Sequence, residues 1–155
     1  MGRRESLHWY TFSWKPGMSY SQMLSILAKE SAGIELAEGR VPHTMMYGFL
    51  GDQIVGRVSL RHQLNQALAR RGGHIGYAVA KKYRRRGFGG QFMAAALEFF
   101  RILKTKSVMI TCADENEASW RIVERFGAKL EEKFYDDVDK EMTRKYWIDL
   151  LRAQA

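Results

Sequence analysis

Apolar residues along this chain fall into two periods, one near two and one near 3.6, and the switches between them mark its elements. Leu7 to Phe12 is dense in aromatic and branched side chains and reads as a strand. Ser19-Tyr20-Ser21-Gln22 has the form of a capping box, and Tyr20, Met23, Leu24 and Leu27 then recur at helical spacing. Gly33 and Gly39 mark the loop that follows. His43 to Leu50 and Gln53 to His62 read as two strands around Gly51-Asp52, a hairpin signal. Asn65 to Arg71 reads as a short polar or helical connection, His74 to Ala80 as a compact strand, and Lys81 to Gly90 as a basic glycine turn.

Met93, Leu97, Phe100 and Leu103 next share a helical face that Phe92, Ala96 and Phe99 widen. Ser107 to Cys112 is a strand, and Asn116 to Phe126 a helix that Gly127 ends in the manner of a left-handed cap. Lys129 to Tyr135 and Glu141 to Leu150 are two final strands joined by the acidic turn Asp136-Asp137-Val138-Asp139. Along the last of them Met142, Tyr146, Ile148 and Leu150 share one side, interrupted only by Arg144. The pattern predicts an α+β (mixed α/β) fold in a single domain over 1–155: one central mixed sheet of about seven strands, flanked by about four helices.

Composition adds bounds. The 155 residues carry 46% apolar and 27% charged side chains, ordinary for a globular domain able to bury its own core. Lys and Arg number 25 against 17 Asp and Glu, a net +8 that favours an anionic partner without choosing among nucleic acid, acidic lipid and a phosphorylated cofactor. A single cysteine, Cys112, leaves no intrachain disulfide and fits a reducing, cytoplasmic setting. No apolar run reaches membrane-spanning length, and the first residues lack the apolar core of an export signal. Met1-Gly2-Arg3-Arg4-Glu5-Ser6 meets the loose myristoylation pattern, a match so short that chance explains it better.

The stretch RRRGFGG, residues 84–90, poses the functional question. Arg86-Gly87-Phe88-Gly89 fits the first four places of an RNA-recognition strand. That pattern then fails: Gly90 stands where an aromatic is needed, Gln91 where valine is, and the residues that follow have helical period. A strand, a glycine turn and a long helix in that order suit a different task. The first helical turn leaves amide hydrogens without internal partners, the helix dipole makes that end positive, and Arg84, Arg85 and Arg86 add charge beside it. A diphosphate suits such a site, although the spacing is that of neither a Walker loop nor a Rossmann fingerprint. A solvated basic turn would look the same.

Here the chain resembles the GNAT superfamily of acyl-CoA-dependent N-acetyltransferases. Arg84-x-x-Gly87-x-Gly89 matches the superfamily's Q/R-x-x-G-x-G/A signature after its fourth strand, and Asn116, Ser119 and Gly127 match a looser second element. The segments LRHQLN, GGHIGYAV and TCADENEASWRIVERFGA look like an uncharacterised bacterial branch of predicted acetyltransferases. The resemblance implies a sheet splayed between its fourth and fifth strands, with acetyl-CoA as co-substrate in the cleft. It implies that Tyr77, Ala78 and Val79 pair their backbone with the pantetheine arm. The N–H groups of Arg85, Arg86, Gly87, Phe88, Gly89 and Gly90, beside the signature's Arg84, would hold the diphosphate. Asn116 would meet the pantetheine, and Ser119 would lie near the sulfur. From the residues alone, Asn116 equally fits a helix N-cap, and Tyr77 and Val79 fit core positions.

Acetyl transfer to an amine needs a neutral nucleophile, a donor for the oxyanion and a proton for the departing thiolate. A backbone N–H near Val79 is a candidate oxyanion donor. Many relatives carry a tyrosine acid where this chain has Val123, and some carry a glutamate base where it has Thr111. Ser119 is then the candidate to protonate or solvate the thiolate. His74 is the first candidate base and His62 the second, against a structural role for each. Tyr135 more simply packs, and Cys112 has no base at a recognisable spacing for covalent catalysis. Four scattered histidines form no metal-ligand spacing.

The sequence therefore predicts an N-acetyltransferase acting on a primary amine of an unidentified small molecule or protein. Its alternatives are a non-catalytic acyl-CoA sensor and a basic nucleic-acid-binding module. A late strand edge could pair two subunits into a homodimer. Glu131, Glu132, Asp136 and Asp137 could supply an acidic acceptor site for an aminoglycoside or a polyamine, although acidic turns are usually solvated.

Overall fold

The computed structural model describes residues 13–151, so the strand expected over Leu7–Phe12 lies outside the described residues. Helix α1 (Tyr20–Ser31) leads into the hairpin β1 (His43–Leu50) and β2 (Gln53–Arg61). Next come α2 (Gln66–Arg70), β3 (Ile75–Val79), a 3-10 turn (Lys81–Tyr83) and α3 (Phe88–Ile102). The order closes with β4 (Ser107–Ala113), α4 (Glu117–Arg125), β5 (Lys129–Asp136) and β6 (Glu141–Asp149). The capping box forms as expected: the Ser19 side chain accepts from Gln22 N–H, and the Gln22 side chain accepts from Ser19 N–H at 2.8 Å.

The seven-stranded sheet is corrected. The described strands form two antiparallel three-stranded sheets, one in the order β1-β2-β3 and one in the order β4-β6-β5. The fourth and fifth strands of the sequence reading, β3 and β4, are therefore both edges. They meet only at an isolated bridge between Gly73 and Ile110. His74 explains the break. Its carbonyl accepts from Arg61 N–H in the first sheet, and its N–H donates to Met109 O in the second, each at 2.8 Å. The Met109 N–H, which should find the next backbone carbonyl of a ladder, donates instead to the imidazole Nδ1 of His74 at 2.9 Å. With a side chain in the place of a carbonyl the ladder stops, and the strands part.

The core lies between the sheets and α3. Phe92, Met93, Ala96, Leu97 and Phe100 are buried as the helical period predicted, whereas Leu103 at the helix end is half exposed. Phe92 packs on two strand glycines: a Cβ on Gly48 or Gly56 would fall 2.4 or 2.1 Å from its ring. On β6, Tyr146 and Ile148 are buried as expected, but Met142 at the hairpin end is exposed. Arg144 interrupts that face for a reason. Its guanidinium lies 4.1 Å from the Trp120 ring centre and pairs with Asp114, tying β6 to the start of α4.

Substitutions at Gly73 and His74 probe the seam, with Gly90 in α3 as a control. Gly73 has φ +66°, and a Cβ there would stand 2.3 Å from Met109 O, which is backbone and cannot yield. Gly73→Ala is expected to cost about 3 kcal/mol in urea unfolding, combining left-handed strain with overpacking. Gly90→Ala, where a methyl meets nothing within 4 Å, should instead gain up to about 1 kcal/mol from helix propensity. His74→Ala strands the Met109 N–H and empties the space between Phe100 and Trp147, at a cost of about 2–4 kcal/mol.

The same contact makes stability depend on pH. Burial, with the Arg61 charge adding to it, holds the His74 imidazole below its ordinary range. The unfolded chain takes up that proton near pH 6.5, the folded protein only at lower pH, so stability should fall as pH drops below about 7. His74→Ala should flatten the slope of unfolding free energy against pH. The slope that remains belongs in part to His62, which burial holds down likewise.

Candidate active site

Where β3 and β4 part, each presents an unpaired backbone edge to the other. The β2–β3 register fixes which groups face the gap. Arg61 N–H bonds His74 O and Ala80 N–H bonds Val55 O, so the bonded pairs recur at alternate residues through Gly76 and Ala78. The backbone groups of Ile75, Tyr77 and Val79 consequently turn toward the gap. Of the three positions expected to pair with a pantetheine, Tyr77 and Val79 lie on the open edge, and Ala78 turns to β2.

The glycine turn closes the end of β3. Arg84 leaves the turn by donating from Nε to Val79 O at 3.1 Å, and Arg85 and Gly87 take left-handed conformations at φ 61° and 85°. Gly87 is the N-cap of α3 and makes no side-chain cap bond, so it leaves the amides of the first turn uncapped among the described residues. A Cβ on Gly87 would meet nothing within 4 Å, which marks the turn as open to an incoming group. Gly89 serves another purpose. Its missing Cβ would stand 2.8 Å from Ile122 Cδ1, so this glycine lets α3 approach α4. Arg84, Arg85 and Arg86 are exposed, with Arg86 5.6 Å from the ring centres of both Tyr83 and Phe88. Residues Arg84 to Gly90 are thus brought together at the mouth of the gap.

The inner wall opposite β3 is the start of α4. Asn116 caps it, its side-chain oxygen accepting from Ser119 N–H at 3.2 Å. The Ser119 hydroxyl lies 3.3 Å from the Tyr77 phenol. The Cys112 thiol bonds the same serine, and burial pushes that thiol up to about 11, which removes it as a nucleophile near neutral pH. Burial also raises the Tyr77 phenol, so it stays protonated. Val123, at the place of the tyrosine acid of many relatives, is fully buried in the core. Thr111, at the place of their glutamate, accepts Gly72 N–H at 2.9 Å and is occupied structurally.

The two candidate bases are also engaged. His74 is buried at the seam with Nδ1 holding Met109 N–H, beside the base of the gap. His62 bonds Thr44 Oγ1 through Nε2 at 2.8 Å and lies against Phe99, on the far side of β2 from the gap. Sequence reasoning missed the contact of Tyr77 with Ser119, because 42 residues separate them and only the fold brings them together. The carboxylates proposed for a polyamine are largely neutralised: Lys145 pairs with Glu131 and Glu132, and Arg71 with Asp136. Tyr135 is half exposed on β5. Among the described residues no cluster of His, Cys, Asp and Glu could hold a metal ion, and no helix is long and apolar enough to cross a membrane.

Two sheets parting beside an open helix start suit a phosphorylated ligand, and comparison supplies the class. The profile of the acetyltransferase (GNAT) domain matches residues 2–129. This chain belongs to the GNAT acetyltransferase family. No curated protein matches it in sequence. Among solved structures it is similar to a GNAT-family acetyltransferase from Bacillus anthracis, at 22% identity and a TM-score of 0.58, over 70% of this chain and 67% of that one. It is also similar to yncA from Salmonella typhimurium, solved with its cofactor acetyl-CoA, at 12% identity and 0.62, over 89% and 78%. A spermidine N-acetyltransferase SpeG mutant from Vibrio cholerae aligns at 15% and 0.61, over 88% and 78%. At these identities the likenesses concern the fold.

Proposed function

We propose that this protein transfers an acetyl group from acetyl-CoA to a primary amine by direct attack within a ternary complex. The observation that carries the reading is the pair of unladdered edges, β3 and β4, opening onto the uncovered amides of α3. In this reading the N–H groups of Arg85 to Gly90 hold the diphosphate, and the three exposed arginines add charge-assisted contacts. The pantetheine lies along the open edge of β3 at Tyr77 and Val79 and passes Asn116. The Val79 N–H, which faces the gap, is the donor for the oxyanion. Ser119 lies beside the sulfur.

The amine loses its proton to water in this reading, because His74 and His62 both hold structural bonds. His74 then acts as the wedge that keeps the gap open. The acceptor is a free primary amine of a small molecule or of a protein, and the neutralised carboxylates of β5 lend no support to a polyamine.

The buried Val123 and the occupied Thr111 favour a second reading, an acyl-CoA sensor that binds without turnover. A nucleic-acid module is not supported, since the glycine segment opens a helix and offers no stacking strand.

Calorimetry with acetyl-CoA tests the shared premise. Saturable binding is expected, weakening with salt, and about tenfold weaker in Arg85→Glu. Absence of binding at hundreds of micromolar would end both readings. Release of free CoA across a panel of amines then separates them, because binding without release selects the sensor.

A further inference from the structure

We propose that Tyr77 and Ser119 act together as the donor pair for the departing thiolate, the phenol coming from strand β3 where Val123 leaves α4 without one. The inference rests on the coenzyme reading above.

Three observations carry it. The Tyr77 phenol, from β3, and the Ser119 hydroxyl, from the first turn of α4, lie 3.3 Å apart. The Tyr77 ring stands 3.6 Å from the position a Gly89 Cβ would take, in the first turn of α3, so the phenol reaches inward from the diphosphate end. Val123 is wholly buried, so no side chain at that position reaches the gap.

Two hydroxyls facing each other offer two donors and four lone pairs, and one donor suffices for the bond between them. The Cys112 thiol adds a third donor and a second bond to Ser119, so one donor of the cluster is still left for a third atom beside the pair, and a sulfur there would receive it. The phenol keeps its proton in this half-buried setting, so the pair donates throughout the neutral range.

In the step itself the amine nitrogen bonds the carbonyl carbon and the C–S bond breaks with its electron pair on sulfur. One hydroxyl gives its proton to that sulfur and recovers one through its partner from the water that took the amine's proton. The products are the amide and CoA thiol, and the pair ends as it began. Ser119 touches the sulfur directly, while Tyr77 acts on it or through Ser119.

The test uses coenzyme A itself and needs no acceptor. With protein in excess over coenzyme A, the rate of alkylation of the bound thiol by iodoacetamide is followed against pH, and mass spectrometry separates the alkylated coenzyme from alkylated Cys112. Hydroxyl donors favour the thiolate, so the bound thiol should ionise at lower pH than free coenzyme A. In Tyr77→Phe and in Ser119→Ala that ionisation should move up by about one pH unit.

Tyr77→Phe changes one oxygen, and an unaltered melting temperature shows that the fold is kept. Should Tyr77→Phe bind coenzyme A and ionise it as the wild type does, the pairing is overturned. Should the same hold for Ser119→Ala, the serine's part falls as well. Failure of the wild type to bind coenzyme A would overturn the underlying reading, a result that the calorimetric titration distinguishes.

Discussion

One imidazole nitrogen decides the architecture. A backbone N–H in the interior must find an acceptor, and Met109 finds His74 Nδ1 rather than a carbonyl. The substitution ends a ladder after one bridge without leaving a buried donor unsatisfied. It requires a neutral ring with its proton on Nε2, held in place by Phe100 edge-on and by Trp147. It also requires the backbone at residue 73 to approach Met109 more closely than any side chain permits, hence a glycine. Everything else at the gap is a consequence, since two strands cannot present free edges to each other unless something stops them from pairing.

Free edges inside a protein are costly unless occupied. Elsewhere an exposed strand edge invites another chain, and proteins cover or charge it. Here the two edges face inward, with α3 and α4 reaching them from one side. Gly89 brings those helices together, while Gly87 opens the helix start, so two glycines two residues apart have different physical reasons. A motif of the form R-x-x-G-x-G joins both demands: a turn that leaves amides uncovered, and a helix that can lie close to its neighbour.

Much of this was legible in the chain. The 3.6 period placed α3, the capping box placed α1, Gly51-Asp52 placed the first hairpin, and the strand–glycine–helix order placed the turn that joins β3 to α3. What failed to show were relations between distant residues. A period of two says that His74 to Ala80 is a strand, not which edge of it is paired, so the single sheet was the natural expectation. His74 looked like a base because histidine titrates near neutrality, whereas its role at the seam depends on an amide 35 residues away. Arg144 looked like a flaw in an apolar face until Trp120 and Asp114 came to lie beside it. The approach of Tyr77 to Ser119 leaves no trace in spacing at all.

The distribution of charge within the site follows from these contacts. Full positive charges gather at the mouth, on Lys81, Lys82, Arg84, Arg85 and Arg86, where water screens them and a polyanion can find them. Farther in, the groups are neutral at physiological pH: a phenol and a thiol raised by burial, a serine hydroxyl, and an imidazole lowered by burial. Of the ionised side chains around that inner end, Arg144 pairs with Asp114, and Arg61 donates to the carbonyls of Gly72 and Gly73. In the proposed reading a negative charge that develops on sulfur there meets ions already engaged with other partners, and short-range dipoles contribute much of its stabilisation. Hydrogen-bond donors count for more in such surroundings than in water, because little else competes to solvate the ion. In the proposed reading the same economy lets the site act without a tyrosine on α4. What the leaving group needs is a hydroxyl at the right depth, and the strand on the opposite wall can supply it.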